Sequence, residues 1–323
     1  MNFSFAPIKS LDGCTSTSTS PFDPLSIRAY KNSPTPFFEK LHRGLTCPIR
    51  LLPNFLIIGT QKGGTTSLYH YLQTHPSIAS AARKEVHFFD RRSNLHKGLA
   101  WYRGHFPTRV EKYYVQHLLG QAFLTGEATP EYLFLPHIPQ RVAQILPHVK
   151  LVVLLRNPVD RAYSQYQHAV LQGHETRSFE EAITAQQASI AREQALILQD
   201  EEYEQYTYMQ HCYLTRGIYV DQLQRWLRLF PREQFLILKS EAFYADPAVT
   251  LKAVLDFLNV PVSELQLKKS AYKAYNTNHY VPMDTTLRKR LMAFFEPHNA
   301  RLYDYLGINF GWDKEKGSDK TSL

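Results

Sequence analysis

The stretch Asn54-Phe-Leu-Ile-Ile-Gly-Thr-Gln-Lys-Gly-Gly-Thr-Thr-Ser-Leu-Tyr-His-Tyr-Leu-Gln-Thr-His-Pro76 decides how the chain reads. Phe55 to Ile58, with Leu52 just upstream, make an unbroken apolar run, the pattern of a strand buried on both faces of a parallel sheet. Gly59, Gly63 and Gly64 then bracket a polar loop holding one lysine, Lys62. From Thr65 the spacing turns helical, with Leu68, Tyr71 and Leu72 at i, i+3, i+4, and Pro76 closes the helix. Strand, glycine-rich loop and helix N-terminus together predict a phosphate cradle. Backbone N–H groups point at the anion, the helix dipole favours it, and the hydroxyls of Thr65 and Thr66 add donors. The plainer alternative is a glycine-rich turn, which the flanking strand and helix argue against.

The loop is almost a Walker A motif. Gly59 to Gly64 has the G-x-x-x-x-G spacing and Thr66 stands where the magnesium-binding hydroxyl belongs. The lysine expected at position 65 is a threonine, and Lys62 lies inside the loop instead. The cation therefore approaches the phosphate from the side.

A second signal comes from "KLVVLLRNPVDRAYSQYQHAV", residues 150–170. Leu151 to Leu155 reads as a buried strand, and Arg156 leaves its C-terminal end, where ligands bind in open α/β sheets. Asn157 suits an N-cap and Pro158 the first helical position. The helix is expected to bury Val159, Ala162, Tyr163, Tyr166 and Val170, with Ser164 two turns along facing the loop. An arginine and a serine hydroxyl can clamp a phosphate distant from the first loop. A capping device without a ligand is the plainer reading of this segment taken alone.

"FLIIGTQKGGTTSLYHYLQTHP" resembles the 5′-phosphosulfate loop of sulfotransferases that use PAPS (3′-phosphoadenosine 5′-phosphosulfate), and Arg156 with Ser164 resembles their 3′-phosphate motif. Later blocks resemble the heparan sulfate sulfotransferase branch, above all its N-sulfotransferases; the likeness spans roughly residues 50 to 312. It implies a P-loop NTPase-like three-layer α/β sandwich with a central parallel sheet, PAPS as co-substrate, no metal, and a glycan or small-molecule acceptor. Lys62, Gly63, Gly64, Thr65 and Thr66 would hold the 5′ end, and Arg156 and Ser164 the 3′-phosphate. "KAYNTNHYVPMD" aligns with the family's closing loop, with Asn276, Thr277 and Asn278 where lysine, glycine and arginine are common; 3′-phosphate affinity would then lean on Arg156 and Lys273.

The acceptor side is expected between residues 77 and 135. Glu85 follows Arg83 and Lys84 and precedes Phe88 and Phe89; aromatic surface raises a carboxylate's pKa toward the range of a general base. Residues alone leave it an ordinary loop carboxylate, whereas "KEVHFFD" resembles the segment carrying the family's catalytic glutamate. Lys62 would assist by neutralising the leaving phosphate, and His168, in a Y-Q-H string matching the N-sulfotransferases, is a second catalytic candidate. "HKGLAWYRGHFP" resembles a family block whose Trp101, Tyr102 and Phe106 would line a sugar cleft, core packing being the even alternative for Trp101. Glu127 is carried as an acceptor contact; Ala128 follows it where a lysine is common.

Elsewhere, "SIASAA" and "FLTGE" read as strands, "PQRVAQILP" as a short helix, and "QFLILKSEAF" as the last strand before a helix from Pro247 to Leu258. Residues 178 to about 205 read as an exposed polar helix, Tyr219 to Phe230 as an amphipathic one, and 284–306 as helices broken near Pro297.

The chain has 323 residues and room for one large α/β domain; residues 1–48 read as a flexible arm, 49–312 as the domain and 313–323 as a tail. A net charge of +8 suits an anionic nucleotide and a polyanionic acceptor, a merely basic surface being the plainer alternative; no nucleic-acid partner is expected. Three widely spaced cysteines make neither a disulfide framework nor a zinc site, which favours a reducing compartment. With no apolar run long enough to span a bilayer and no signal peptide, the expected place is the cytoplasm, and the lack of the family's usual Golgi anchor points to a soluble bacterial relative. Two other classes stay open: a magnesium-dependent P-loop kinase or NTPase, and a non-catalytic PAP- or glycan-binding protein.

Overall fold

The computed structural model describes residues 37–186, 195–196, 212–262 and 281–313. Five parallel strands, β1 (Phe55–Gly59), β2 (Ile78–Ser80), β3 (Leu124–Glu127), β4 (Lys150–Leu155) and β5 (Phe235–Lys239), form one sheet in the order β2-β3-β1-β4-β5. The run 55–58 is apolar throughout because each face of β1 meets its own core. Leu56 and Ile58 join Val153, Leu155 and Trp226 on one side, while Phe55 and Ile57 join Leu68, Val152, Leu154 and Leu255 on the other. The chain fills the β2–β3 side of β1 first and then crosses to β4, so the C-terminal ends of β1 and β4 flank a topological switch point. Helices Thr65–Gln73 and Pro158–Leu171 both start there.

Four expectations are corrected. The helix Pro158–Leu171 buries Val159 and Ala162, but Tyr163 and Tyr166 are half-buried and Val170 is exposed. Its inner face carries Arg161, Ser164, Gln165 and Ala169 instead, with the Arg161 guanidinium donating to the Gln165 side chain and the Tyr213 carbonyl. A polar inner face fits a helix that covers a ligand site rather than a core. The helix Thr285–Leu306 runs unbroken through Pro297: Leu291 and Phe295 pack into one cluster before it and Leu302 into another after it, holding both halves in line. The start of the expected exposed helix, 179–186, packs Phe179, Ala182 and Ile183 inward; 187–194 and 197–211 lie outside the described residues. Of the expected arm, residues 37–48 are folded, and residues 1–36 lie outside the described residues. Phe37–Thr46 is a helix whose Arg43 donates to the Gly104 carbonyl at 3.3 Å, and Arg50 donates to that of Phe106 at 2.6 Å.

Candidate active site

The loop after β1 folds back on the sheet. Thr60 N–H donates to the Leu154 carbonyl and Gly63 N–H to that of Thr60, both at 2.9 Å. Lys62 and Gly64 take left-handed backbone conformations, φ 69° and 97°, before the helix begins at Thr65. Gly63 has no room for a side chain: a Cβ there would stand 2.8 Å from the Leu154 carbonyl oxygen. Three side chains fasten the loop from the β4–β5 side. Ser240 Oγ donates to the Gly63 carbonyl (2.8 Å), Arg156 Nη1 to that of Lys62 (3.0 Å) and Tyr244 Oη to the same oxygen (3.5 Å).

Arg156 thus touches the loop instead of lying far from it. Its guanidinium sits 5.9 Å from the centre of the Tyr244 ring. Asn157 caps the next helix, its Oδ1 accepting from Val159 N–H at 3.0 Å, while its own N–H donates to Glu241 at 2.7 Å. Ser164 is buried two turns further along. Burial, then the charges of Arg156 and Arg161, lower the Lys62 ammonium to about 8. His168 is half-buried, and its pKa is lowered first by burial and then by the charges of Lys62 and His174. The donor set of the loop, its cation cluster and a helix N-terminus without a Cβ at Gly63 or Gly64 fit a bound anion. Asn276, Thr277, Asn278 and Lys273 lie outside the described residues.

Across the end of the sheet, Glu85 stands between two cations. Lys84 Nζ is 2.5 Å from Oε1 and His87 Nε2 is 3.4 Å from Oε2. Burial by itself would raise the Glu85 carboxyl, but the His87 and Lys84 partners outweigh it and bring it down to about 2. The sequence expectation of a raised pKa is therefore overturned: Phe88 and Phe89 turn into the core, and cations, not rings, face the carboxylate. Burial opposes charge on His87 too, yet hydrogen bonds to Asp90 (Nδ1 to Oδ2, 2.7 Å) and Glu85, with the field of Glu131, raise it to about 10. Glu131, 9 % exposed, accepts from Gln61 Nε2 at 3.3 Å, and burial and the nearby Glu85 charge raise its pKa. The facing atoms of Glu85, His87 and Glu131 lie within 4.8 Å of one another. The imidazolium of His87 is itself the cation among these carboxylates. Gln61 precedes Lys62 in the phosphate loop, so the Gln61–Glu131 bond joins the two halves of the site.

His87, Asp90, Glu131 and Gln61 were missed as site residues. The first two sit inside the quoted block "KEVHFFD", at two and five positions beyond Glu85, and nothing in spacing alone separates them from loop residues. Two expected acceptor contacts do not reach a cleft. Tyr102 and Glu127 are both 0 % exposed, and Tyr102 Oη donates to Glu127 Oε1 at 2.7 Å. Glu127 also accepts from Thr129 Oγ1 (2.7 Å), Val86 N–H (3.0 Å) and Tyr132 Oη (3.2 Å). Four donors compensate a buried carboxyl whose pKa burial raises, and in doing so they anchor the backbone beside Glu85. Tyr102 stacks on Phe88 with ring centres 4.4 Å apart, and Phe106 is buried as well. Trp101 is half-buried, with Lys97 Nζ 4.7 Å over its ring and the His105 ring at 4.3 Å.

Known proteins resemble this chain along most of its length. A family profile described as the sulfotransferase domain matches residues 52–292. Mouse heparan sulfate glucosamine 3-O-sulfotransferase 6 is 31% identical over 82% of this chain and 75% of its own length. Mouse heparan sulfate glucosamine 3-O-sulfotransferase 3A1 is 32% identical over 81% and 65%. The crystal structure of a sulfotransferase from Alicyclobacillus acidocaldarius superposes with a TM-score of 0.63 at 30% identity, covering 82% of this chain and all (100%) of the other.

Proposed function

Since the chain belongs to the sulfotransferase family and is a sulfotransferase, we propose that it moves the sulfuryl group of PAPS onto a hydroxyl of a glycan. The observation that carries this reading is the pairing of a cation-bearing phosphate loop with Glu85 across the Gln61–Glu131 hydrogen bond. The relatives named for 3-O transfer support a sugar hydroxyl over an amine.

PAPS supplies an activated sulfuryl group on its 5′-phosphate. Loop N–H groups, Lys62, Thr65 and Thr66 hold that end, while Arg156 and Ser164 take the 3′-phosphate. Lys62 offsets the charge that grows on the departing phosphate, an electrostatic role requiring no metal. Glu85, ionised throughout the neutral range, receives the acceptor's proton. Its low pKa makes it a weak base. That suffices because a hydroxyl becomes acidic as its oxygen bonds to sulfur, so proton loss follows the new S–O bond while the old S–O pair leaves with the phosphate. Lys84 and His87 hold the carboxylate in place. Trp101 offers the acceptor an aromatic edge, His168 stands near Lys62, and Tyr102 and Glu127 act by positioning.

Calorimetric titration tests the reading. Micromolar PAP binding that is lost in Lys62→Ala and Arg156→Ala is expected, followed by transfer from labelled PAPS to a panel of glycans. Binding of ATP with Mg²⁺ and no response to PAP would replace it with a kinase.

A further inference from the structure

One corner of the molecule carries an apolar surface that the transfer reaction does not use. Helix Arg109–Tyr113 continues as a π-helical turn, Tyr114–Leu118, and neither contains a buried residue. Val110, Tyr113, Tyr114 and Leu118 fall on one face, and Val110, Tyr113 and Leu118 are each more than 60% exposed (66%, 61% and 67%). A helix this short gains nothing from propensity alone, and most helical stability comes from packing an apolar face. Here that face meets water.

A second apolar set rises from the same corner. Leu41, Leu45 and Ile49, on and just beyond helix Phe37–Thr46, are exposed, Leu45 to 74%. The two elements are stitched together at their bases. Arg50 bridges Thr108, Leu51 N–H donates to the Pro107 carbonyl at 2.9 Å, and Arg43 reaches the Gly104 carbonyl. The polar rim is basic. Arg109, Lys112 and His117 flank the stripe, whereas its acid, Glu111, is spent on Thr108, whose N–H and Oγ1 both donate to it. Glu39 is likewise held by Arg43.

We propose that this corner docks on the surface of an anionic lipid bilayer, with Val110, Tyr113, Leu118 and Leu45 entering the headgroup layer. The occupant follows from shape and charge. The ten residues Arg109–Leu118 are about 15 Å long, too short to cross a bilayer but long enough to lie in its interface. Tyrosine suits that depth, with an apolar ring and a polar tip, and the Arg109 and Lys112 cations beside the stripe match anionic headgroups. A second copy of the chain fits less well, because a two-fold contact through this patch would bring the Arg109 and Lys112 cations of both copies together.

Co-sedimentation of the full chain with vesicles tests this, using phosphatidylcholine alone and phosphatidylcholine mixed with phosphatidylglycerol. The mixed vesicles are expected to carry the protein down, the neutral ones less. Val110→Glu combined with Leu118→Glu should weaken this at least about tenfold, because both side chains would have to enter apolar surroundings as ions. Melting temperature and PAP binding should stay unchanged, and Leu45→Glu should weaken sedimentation by a smaller factor. A wild-type chain that stays in the supernatant overturns the proposal, as does a double variant that sediments like wild type. So does a wild-type dimer, seen by light scattering, that the double variant splits without any vesicle binding; that outcome gives the surface to a second copy.

Discussion

The glycine-rich loop after β1 and the corner around Glu85 sit side by side at the end of one sheet, yet they are built differently. The loop is mostly main chain: glycines at 59, 63 and 64, a left-handed Lys62, and carbonyls held by Ser240 and Arg156. The corner is mostly side chain, with Glu127 receiving four hydrogen bonds and His87 held among Asp90, Glu85 and Glu131. Main-chain devices leave glycines and period changes at fixed spacing, so a single sequence displays them. Side-chain networks converge from residues far apart, and their members look ordinary one at a time.

Four variants or conditions break or sharpen that contrast. The largest effect is expected at Glu85→Gln, which should lower kcat by about 10²–10⁴ and leave PAP affinity as it was, read by single-turnover transfer and calorimetry; normal turnover would remove Glu85 as the base. Lys62→Ala should cost about 10²–10³ in kcat and, unlike Glu85→Gln, weaken PAP binding in the same titration. A change in only one of the two would separate the loop's binding role from its electrostatic one.

Glu127→Ala should act on stability first. It strands the four buried donors around it, a loss on the order of 3 kcal/mol in denaturant unfolding, with activity falling because the backbone beside Glu85 loses its anchor. A variant as stable as wild type would mean that the corner is held by something other than this carboxylate.

The smallest effect is a pH dependence. Lys62 is lowered to about 8, so the free protein loses that positive charge as pH rises through 8. PAP affinity should therefore decline above that point, and Lys62→Arg, whose guanidinium keeps its proton there, should hold its affinity to higher pH. A wild-type profile flat to pH 9.5 would contradict a lysine with lowered pKa in the loop.

The unequal legibility shows in particular residues. β1, the loop, Arg156 and the Asn157 cap were all readable, because each combines a residue type with a position that only one local geometry satisfies. Glu85 was singled out, but its electrostatics were read backwards: the rings of Phe88 and Phe89 turn into the core, while Lys84 and His87, still closer to it in sequence, are the side chains that face it. Tyr102 and Glu127 looked like acceptor contacts because aromatic rings and carboxylates serve that purpose elsewhere. Only three dimensions show that each satisfies the other in the interior. Pro297 teaches the opposite lesson, since a strong local breaker yields when tertiary packing grips the helix on both sides.

Glu241 also gives the site a position in time. One of its oxygens takes the Asn157 N–H beside Arg156, and the other takes the indole N–H of Trp312 at 3.3 Å. The helix cap beside Arg156 thus shares its carboxylate with a side chain made only at residue 312. A chain under synthesis holds all five strands and the loop's own clasps, Ser240 and Arg156, before that last bond to Glu241 can form.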